Sequence, residues 1–467
     1  MTATSDTRSA TQTVDLAIIG SGSGNSIPDD RFADKQIAIF EEGIYGGTCL
    51  NVGCIPTKMF VQAAEVARSA REASRLGVDA HVDQVRWDDI RDRVFERIDA
   101  ISAGGRAYRE RGSDDGNTTV FSGHARFTGD RTLRVEGYDE EISGDQIVIA
   151  TGARPNIPPV VTDSGVPYET SDTIMRIEKL PRSLVIAGAG YIALEFAHVF
   201  SSLGVEVTML ARGKRVLRHA DDDVSRVLTH AATDQWALER DAVMESIEQR
   251  DGTIRVTLRG GRVVEGEMLL VATGRIPNTD DLGLENTRVE VRDDGRIVVD
   301  EYGRTGADGV WSLGDCSSPY QLKHVANAEE RCVAHNLVHP DDLRAFPHDV
   351  VPAAVFTHPQ VATVGLTEDE AREGGHAITT KVQKYGDIAY GWALEDTTSI
   401  CKVIADKATK KLLGVHLVGP EASIVIQPAV QAMSFGLTAD EMARGQYWIH
   451  PALTEVLENA LLGLEFD

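Results

Sequence analysis

Two glycine-rich turns, each set between apolar strands, and two copies of a strand running into Ala-Thr-Gly predict an α/β fold. The plan is two Rossmann-like dinucleotide-binding units and then a smaller α+β unit, because such turns recur where a strand feeds a phosphate-binding helix. A length of 467 residues suits about three domains.

Taken in order, residues 14–19 (VDLAII) read as a buried strand entering GSGSGN, and 37–41 (IAIFE) as a second strand. Between Gln62 and Arg111 a stretch rich in Ala, Arg and Glu carries apolar residues at helical spacing. Residues 145–158 (DQIVIATGARPNIP) are a strand entering a Gly/Pro turn. The opening plan recurs at 183–212 (SLVIAGAGYIALEFAHVFSSLGVEVTMLAR), and 267–279 (EMLLVATGRIPNT) echoes 145–156, which makes this a duplicated unit rather than a short repeat. GVWSLGDC (309–316) precedes a helix-like VANAEERCVAHNLV, and a linker with Pro347 and Pro352 follows. In the last segment TKVQKY, CKVIAD and LLGVHLVG read as strands and ASIVIQPAVQAMSFG as helix. The expected boundaries are 1–152 and 274–349 for the first nucleotide-binding domain and its continuation, 153–273 for the second, and 350–467 for the C-terminal unit.

The 72 acidic and 47 basic residues leave a net charge of −25. That balance disfavours nonspecific binding to nucleic acid or anionic membranes. No apolar run approaches the roughly 18 residues of a membrane helix. The polar start ahead of Val14 lacks the basic and apolar regions of a secretory leader. Five cysteines, few and odd in number, argue against a secreted disulfide framework, so a reducing cytoplasm is the expected location.

A pyrophosphate needs backbone N–H groups at close range, which a Gly-x-Gly-x-x-Gly turn at a helix start supplies. In the second copy Gly188, Gly190 and Ala193 fit, and an amphipathic helix follows. In the first, Gly20 and Gly22 fit, but Asn25 stands where the third glycine belongs and SIPDDRFADKQ makes a poor helix. Glu41 closes the next strand where an acid accepts ribose hydroxyls, so the first site reads as FAD. The second copy has no acid at that point. Arg212 and Arg218 suit a 2′-phosphate instead, so the second site reads as NADPH.

GGTCLNVGCIPTK (46–58) spaces Cys49 and Cys54 five apart. As a staple, a loop this short is worth about 2 kcal/mol, against nearly 5 for a hundred-residue loop. A metal clamp needs further ligands, and Cys316, Cys332 and Cys401 stand alone as ordinary buried positions. A redox pair remains, with a thiolate attacking a disulfide. WIHPALTEVLENA (448–460) offers a proton acceptor in His450 and a carboxylate to orient it in Glu455.

Together the cysteine box, the two A-T-G turns with Gly152 and Gly274, GAGYIALEFA, GDC and HPALTE resemble the flavin-dependent pyridine nucleotide–disulfide oxidoreductases over essentially the whole chain. The resemblance implies that Cys49 attacks a low-molecular-weight disulfide while Cys54 lies against the flavin. It implies that His450 moves the proton and Glu455 fixes its ring. It also implies an ion pair of Lys58 and Glu195 near the flavin, Tyr191 over the nicotinamide pocket, and Asp315 on the ribityl chain with Gly314 allowing close approach. A C-terminal dimerisation domain and a homodimer whose active site is shared between subunits follow from the same likeness.

Other enzymes share this scaffold. A lipoamide dehydrogenase should carry an acid where Ala211 or Arg212 stands. A mercuric reductase should have cysteines near its C-terminus, and none lies after Cys401. Glutathione reductase is compatible with every residue named. A non-catalytic nucleotide-binding flavoprotein would be expected to lose Cys49, Cys54 or His450.

Overall fold

The computed structural model describes residues 11–111 and 116–466. The polar start read as lacking a secretory leader lies mostly outside them, in residues 1–10. The chain forms two compact units, each assembled from three segments. One comprises Met1–Pro56, Asp92–Asn156 and Arg275–Pro347; the other comprises Thr57–Arg91, Ile157–Gly274 and His348–Asp467.

The first unit is built on a seven-stranded sheet. Thr11–Ile19 lies at its centre, parallel to Ile37–Glu41 on one side and Glu141–Ile149 on the other. Thr118–Ser122 and Val310–Ser312 extend the parallel part. An antiparallel meander of Ala125–Gly129 and Thr132–Val135 closes it. Alternate residues of the central strands bury on opposite faces, Leu16 and Ile18 in one core and Ala17 and Ile19 in another. A parallel strand covered on both sides requires that near-continuous apolar run. The two A-T-G echoes end in one ribbon, Ala153–Pro155 paired antiparallel with Arg275–Pro277.

In the second unit four parallel strands, Ala237–Glu239, Glu206–Leu210, Ser183–Ala187 and Met268–Val271, form the second nucleotide sheet. Beside it is a three-stranded antiparallel sheet over 244–266. The C-terminal part is a five-stranded antiparallel sheet in the order Pro352–Val355, Val361–Gly365, Leu412–Val418, Ile400–Asp406, Ile378–Lys384. Its first two strands were not read from the sequence. Pro352 looked like linker, but it opens an edge strand, where a missing N–H is tolerated. The helix expected over 422–436 is two, Ala422–Val425 and Gln427–Ser434, the second with Pro428 in its first turn. Cys316 and Cys401 are buried as expected, whereas Cys332 is only half-buried, its thiol on the Ala345 carbonyl.

Lys402 crosses the interior of this unit. It is 2% exposed and bonds Asp221 Oδ1 at 2.9 Å, Asp223 Oδ2 at 2.8 Å and Glu368 Oε2 at 2.8 Å. Asp221 also caps the helix Asp222–Gln235, so one ammonium ties that helix to the C-terminal sheet. The Lys402 and Arg372 bonds hold Glu368 below the usual carboxylate range. Burial opposes the same effect at Asp223, but its bonds to Lys402 and Arg226 prevail.

Removing the cation leaves buried carboxylates facing one another. Lys402→Met should therefore cost about 3 kcal/mol or more of stability, seen as a lowered denaturant midpoint; an unchanged midpoint would refute the tie. Because the folded values of Asp223 and Glu368 lie below the unfolded ones, the stability they contribute is present above the ordinary carboxylate range and is lost as pH falls from there through the lowered folded values. In Lys402→Met that acid dependence should flatten.

Candidate functional site

The first glycine turn is set by close backbone approach. Gly20 has φ +103°, and a Cβ there would lie 2.4 Å from the Ala150 carbonyl oxygen. The third close approach belongs to Gly24, whose Cβ would sit 2.9 Å from Ala150 Cβ and 3.0 Å from Ile18 Cγ2. It comes one residue ahead of Asn25, where the pattern places it. The helix that usually follows is replaced by single turns at Gly24–Ser26 and Asp30–Phe32. Side chains brace the loop in its place. Asn25 Oδ1 accepts from the Tyr45 hydroxyl and, at 3.0 Å, from Arg109 Nε, and Arg109 also donates to the Asn25 and Pro28 carbonyls. Glu41 Oε2 accepts from Ser21 N at 3.0 Å and Ser21 Oγ at 2.6 Å, and Oε1 accepts from Gly43 N at 2.8 Å. The acid thus shapes the turn while keeping lone pairs for further donors.

The cysteine pair is fastened to that same loop. A Cβ on Gly47 would come within 2.6 Å of Gly22 Cα, and Gly46 N donates to Ser21 Oγ at 2.8 Å. The short helix Gly47–Asn51 carries Cys49, and Cys54 opens the helix Cys54–Glu72. Asn51 Nδ2 holds the first helix by donating to the Tyr45 and Gly47 carbonyls. Cys49 is half-buried and Cys54 exposed. A hydrogen bond from Cys54 lowers Cys49 to about 7, with burial opposing and with help from the Lys323 charge and the Cys54 and Ile55 N–H groups. Cys49 thus ionises more readily than an ordinary cysteine, which favours attack on a disulfide. In the same unit Gly314, at φ +73°, gives its N–H to the buried Glu329 at 2.7 Å. Desolvation raises the neighbouring Asp315 carboxyl against the pull of Arg275.

In the second unit Gly188 repeats the role of Gly20, with φ +128° and a Cβ that would meet the Ala272 oxygen at 2.2 Å. Gly190 caps the helix Tyr191–Ser202 without a side-chain bond, and a Cβ there would meet nothing within 4 Å. The helix thus starts on a glycine whose missing side chain leaves room for a group to approach, as an anion site at a helix start requires. The strand Glu206–Leu210 ends in a basic loop that Leu217 N pins to the Ala189 carbonyl at 3.0 Å, bringing it beside the glycine turn. Arg212 and Arg218 are exposed there. Arg215 is spent on Asp222. Lys214, exposed on the same loop, went unnoticed in the sequence. Tyr191 is 39% exposed at the helix start. Lys58 and Glu195 both meet Phe356. Lys58 Nζ stands 3.9 Å from its ring centroid, and Glu195 Oε1 accepts from its N–H at 2.9 Å. Desolvation pushes Glu195 up to about 7 against that bond and the Lys58 charge.

His450 Nδ1 lies 2.6 Å from Glu455 Oε1, and Glu455 Oε2 accepts from Ala452 N at 3.2 Å. A carboxylate only accepts, so Nδ1 carries the proton and Nε2 of the neutral ring is left as the base. The imidazole is 70% exposed and the carboxylate 15%, an oriented base presented outward.

Two nucleotide turns, a redox-poised cysteine pair and a carboxylate-held histidine define a pyridine nucleotide-linked disulfide enzyme. The model of the pyridine nucleotide-disulphide oxidoreductase family matches residues 14–331, and the model of that family's dimerisation domain matches 351–461. The chain belongs to this family. It is 54% identical over 462 residues to the mycothione reductase of Mycobacterium tuberculosis, covering 97% of this chain and 100% of that protein. It is 33% identical to a mercuric reductase of Lysinibacillus sphaericus, covering 97% and 82%. A solved structure of the HOCl-induced flavoprotein disulfide reductase RclA from Escherichia coli superposes with a TM-score of 0.85 at 28% identity, covering 97% of this chain and 100% of that one. The chain is thus a disulfide reductase with FAD and NADPH as cofactors. The residues present fit both groups. The Gly20–Gly24 turn with Glu41 suits the flavin nucleotide. The open Gly190 turn with its exposed arginines suits a 2′-phosphorylated one.

Arg212→Glu should raise the KM for NADPH by about tenfold or more, one charge-assisted contact being lost and a repulsion added, while leaving NADH use little changed. Steady-state kinetics with both nucleotides checks it, and an unaltered preference would remove Arg212 from the phosphate site.

Proposed function

We propose that this chain reduces mycothione to mycothiol at the expense of NADPH. The observation that carries the chemistry is the Cys49–Cys54 pair, hydrogen-bonded thiol to thiol on two helix starts that Gly47 packs against the Gly20–Gly24 loop. The 54% identity to a mycothione reductase across 97% of the chain supports the substrate. When bound, FAD supplies the two-electron relay between the nicotinamide and the sulfur pair. The chain's own residues do the rest. His450 Nε2 takes the Cys49 thiol proton; the thiolate attacks one sulfur of the substrate, breaking its S–S bond and forming a mixed disulfide, and the departing thiolate takes that proton back from His450. Cys54, as thiolate, then attacks Cys49 Sγ, re-forming the Cys49–Cys54 bond and expelling the second product as a thiolate, which takes its proton from solvent. One substrate disulfide becomes two thiols, and the enzyme pair is oxidised by the same two electrons. Glu455 keeps the imidazole aligned through both proton transfers.

We assign 1–152 and 274–349 to FAD binding, 153–273 to NADPH binding and 350–467 to dimerisation. Lys58, Glu195, Gly152, Gly274, Gly314 and Asp315 are proposed to border the flavin, and Tyr191 the nicotinamide. The enzyme is read as a cytoplasmic homodimer in which His450 of the partner subunit serves Cys49. The match of the dimerisation model to 351–461 supports this, as does the exposure of His450 with Tyr447 and Ile449 beside it. Among the described residues no helix is long and apolar enough to cross a membrane.

His450→Ala should slow disulfide turnover by about 100-fold or more. A Cys49→Ser homodimer should be inactive while still taking up electrons from NADPH. A mixed dimer of one Cys49→Ser and one His450→Ala subunit discriminates the arrangements. With the site shared across subunits it keeps one intact centre and regains near half of wild-type activity. A mixed dimer as inactive as its parents would place cysteine and histidine in one subunit. Turnover of a panel of mycothione, glutathione disulfide, lipoamide and Hg(II) tests the substrate, and a higher kcat/KM for any other member would displace mycothione.

A further inference from the structure

Lys323 is the first residue of the helix Lys323–Val338, whose first turn holds no acidic residue and whose N-cap, Leu322, offers no side-chain bond. A cation at that end opposes the helix dipole, and a sequence that breaks a local rule most often does so at a functional position. The side chain is half-buried and aimed at the glycine loop, where Nζ donates to Ser23 Oγ at 2.8 Å. Ser23 in turn reaches Asn327 Oδ1 at 3.3 Å, one helical turn on from Lys323. Ser23 sits between Gly22, which packs on the cysteine helix at Gly47, and Gly24, which packs on the sheet. The ammonium is therefore tethered to the segment against which Cys49 is mounted.

We propose that Lys323 is the counter-charge of the redox pair, a positioning residue that keeps the reduced Cys49–Cys54 pair in its thiolate, nucleophilic form. Opening the disulfide takes two electrons and one proton and leaves one thiolate and one thiol, so a fixed positive neighbour favours the charged product. The groups facing Cys49 are the Cys54 thiol and the Cys54 and Ile55 N–H groups from the start of their helix, and Lys323 from its own. Asp315 and Glu330 feel the same cation, and desolvation raises both of them. The inference deepens the proposed function and rests on the pair being redox-active.

The test uses the FAD-loaded dimer, reduced anaerobically with one equivalent of NADPH and no disulfide substrate. The rate of Cys49 alkylation by iodoacetamide is followed against pH by peptide mass spectrometry. Wild type should show a midpoint near pH 7. In Lys323→Met and Lys323→Gln the midpoint should rise by about one unit or more, as on loss of an adjacent opposite charge, and Lys323→Arg should restore it. A midpoint unmoved in both neutral variants overturns the proposal. If neither folds, wild type decides. Its midpoint should rise in about 1 M salt, by less than for an exposed pair because Cys49 and Lys323 are half-buried, and a salt-independent midpoint overturns the proposal. Absence of any NADPH-dependent labelling in wild type would instead sink the redox reading, a separate outcome.

Discussion

Gly22 and Gly47 meet backbone to backbone, and the chemistry of the first unit depends on that contact. A methyl group on Gly47 would fall 2.6 Å from Gly22 Cα, so any side chain there would force the cysteine helix off the nucleotide loop. The neighbouring bond from Gly46 N to Ser21 Oγ, and the bonds from Ser21 to Glu41, make loop, acid and redox pair one rigid assembly. A two-electron relay between a nucleotide and a sulfur pair needs the pair held at fixed reach, and the glycines supply this by what they lack.

Held there, the two cysteines have a use that their spacing denies them as a staple. A short bridge adds little to stability, yet its reduced form sets one thiol against the other and against the N–H groups that open the Cys54 helix. Burial of Cys49 works against its ionisation, and the Cys54 hydrogen bond, the helix N–H groups and the Lys323 charge work for it. The proposed base is kept apart in sequence. His450 is oriented by Glu455 at an outward-facing corner rather than buried, which suits a group that must meet a substrate.

Much of this was legible in the sequence because it rests on local chemistry. The glycines at 20, 22, 188 and 190, the cysteine pair and the His450–Glu455 spacing each follow from what a turn or a proton transfer needs. What the sequence concealed depends on contacts between distant positions. Asn25 looked like a defect in the glycine pattern; its purpose becomes visible only with Tyr45 and Arg109 beside it, and with Gly24 making the close approach one residue early. Lys402 lies in CKVIAD, which the sequence shows only as a strand, because its acidic partners lie up to 181 positions away. Lys323 left one signal, a cation at a helix start, but its meaning required seeing Ser23. Pro352 was misjudged because a proline is compatible with an edge strand as well as with a linker.

The central claim is that the Cys49–Cys54 bond is opened by electrons from NADPH. The direct measurement is the inventory of alkylated cysteines in the oxidised protein before and after one equivalent of NADPH, taken anaerobically without substrate. New label confined to Cys49 and Cys54, with Cys316, Cys332 and Cys401 unchanged, is the result predicted. An inventory that NADPH does not alter, in protein that still turns over its disulfide, would contradict it.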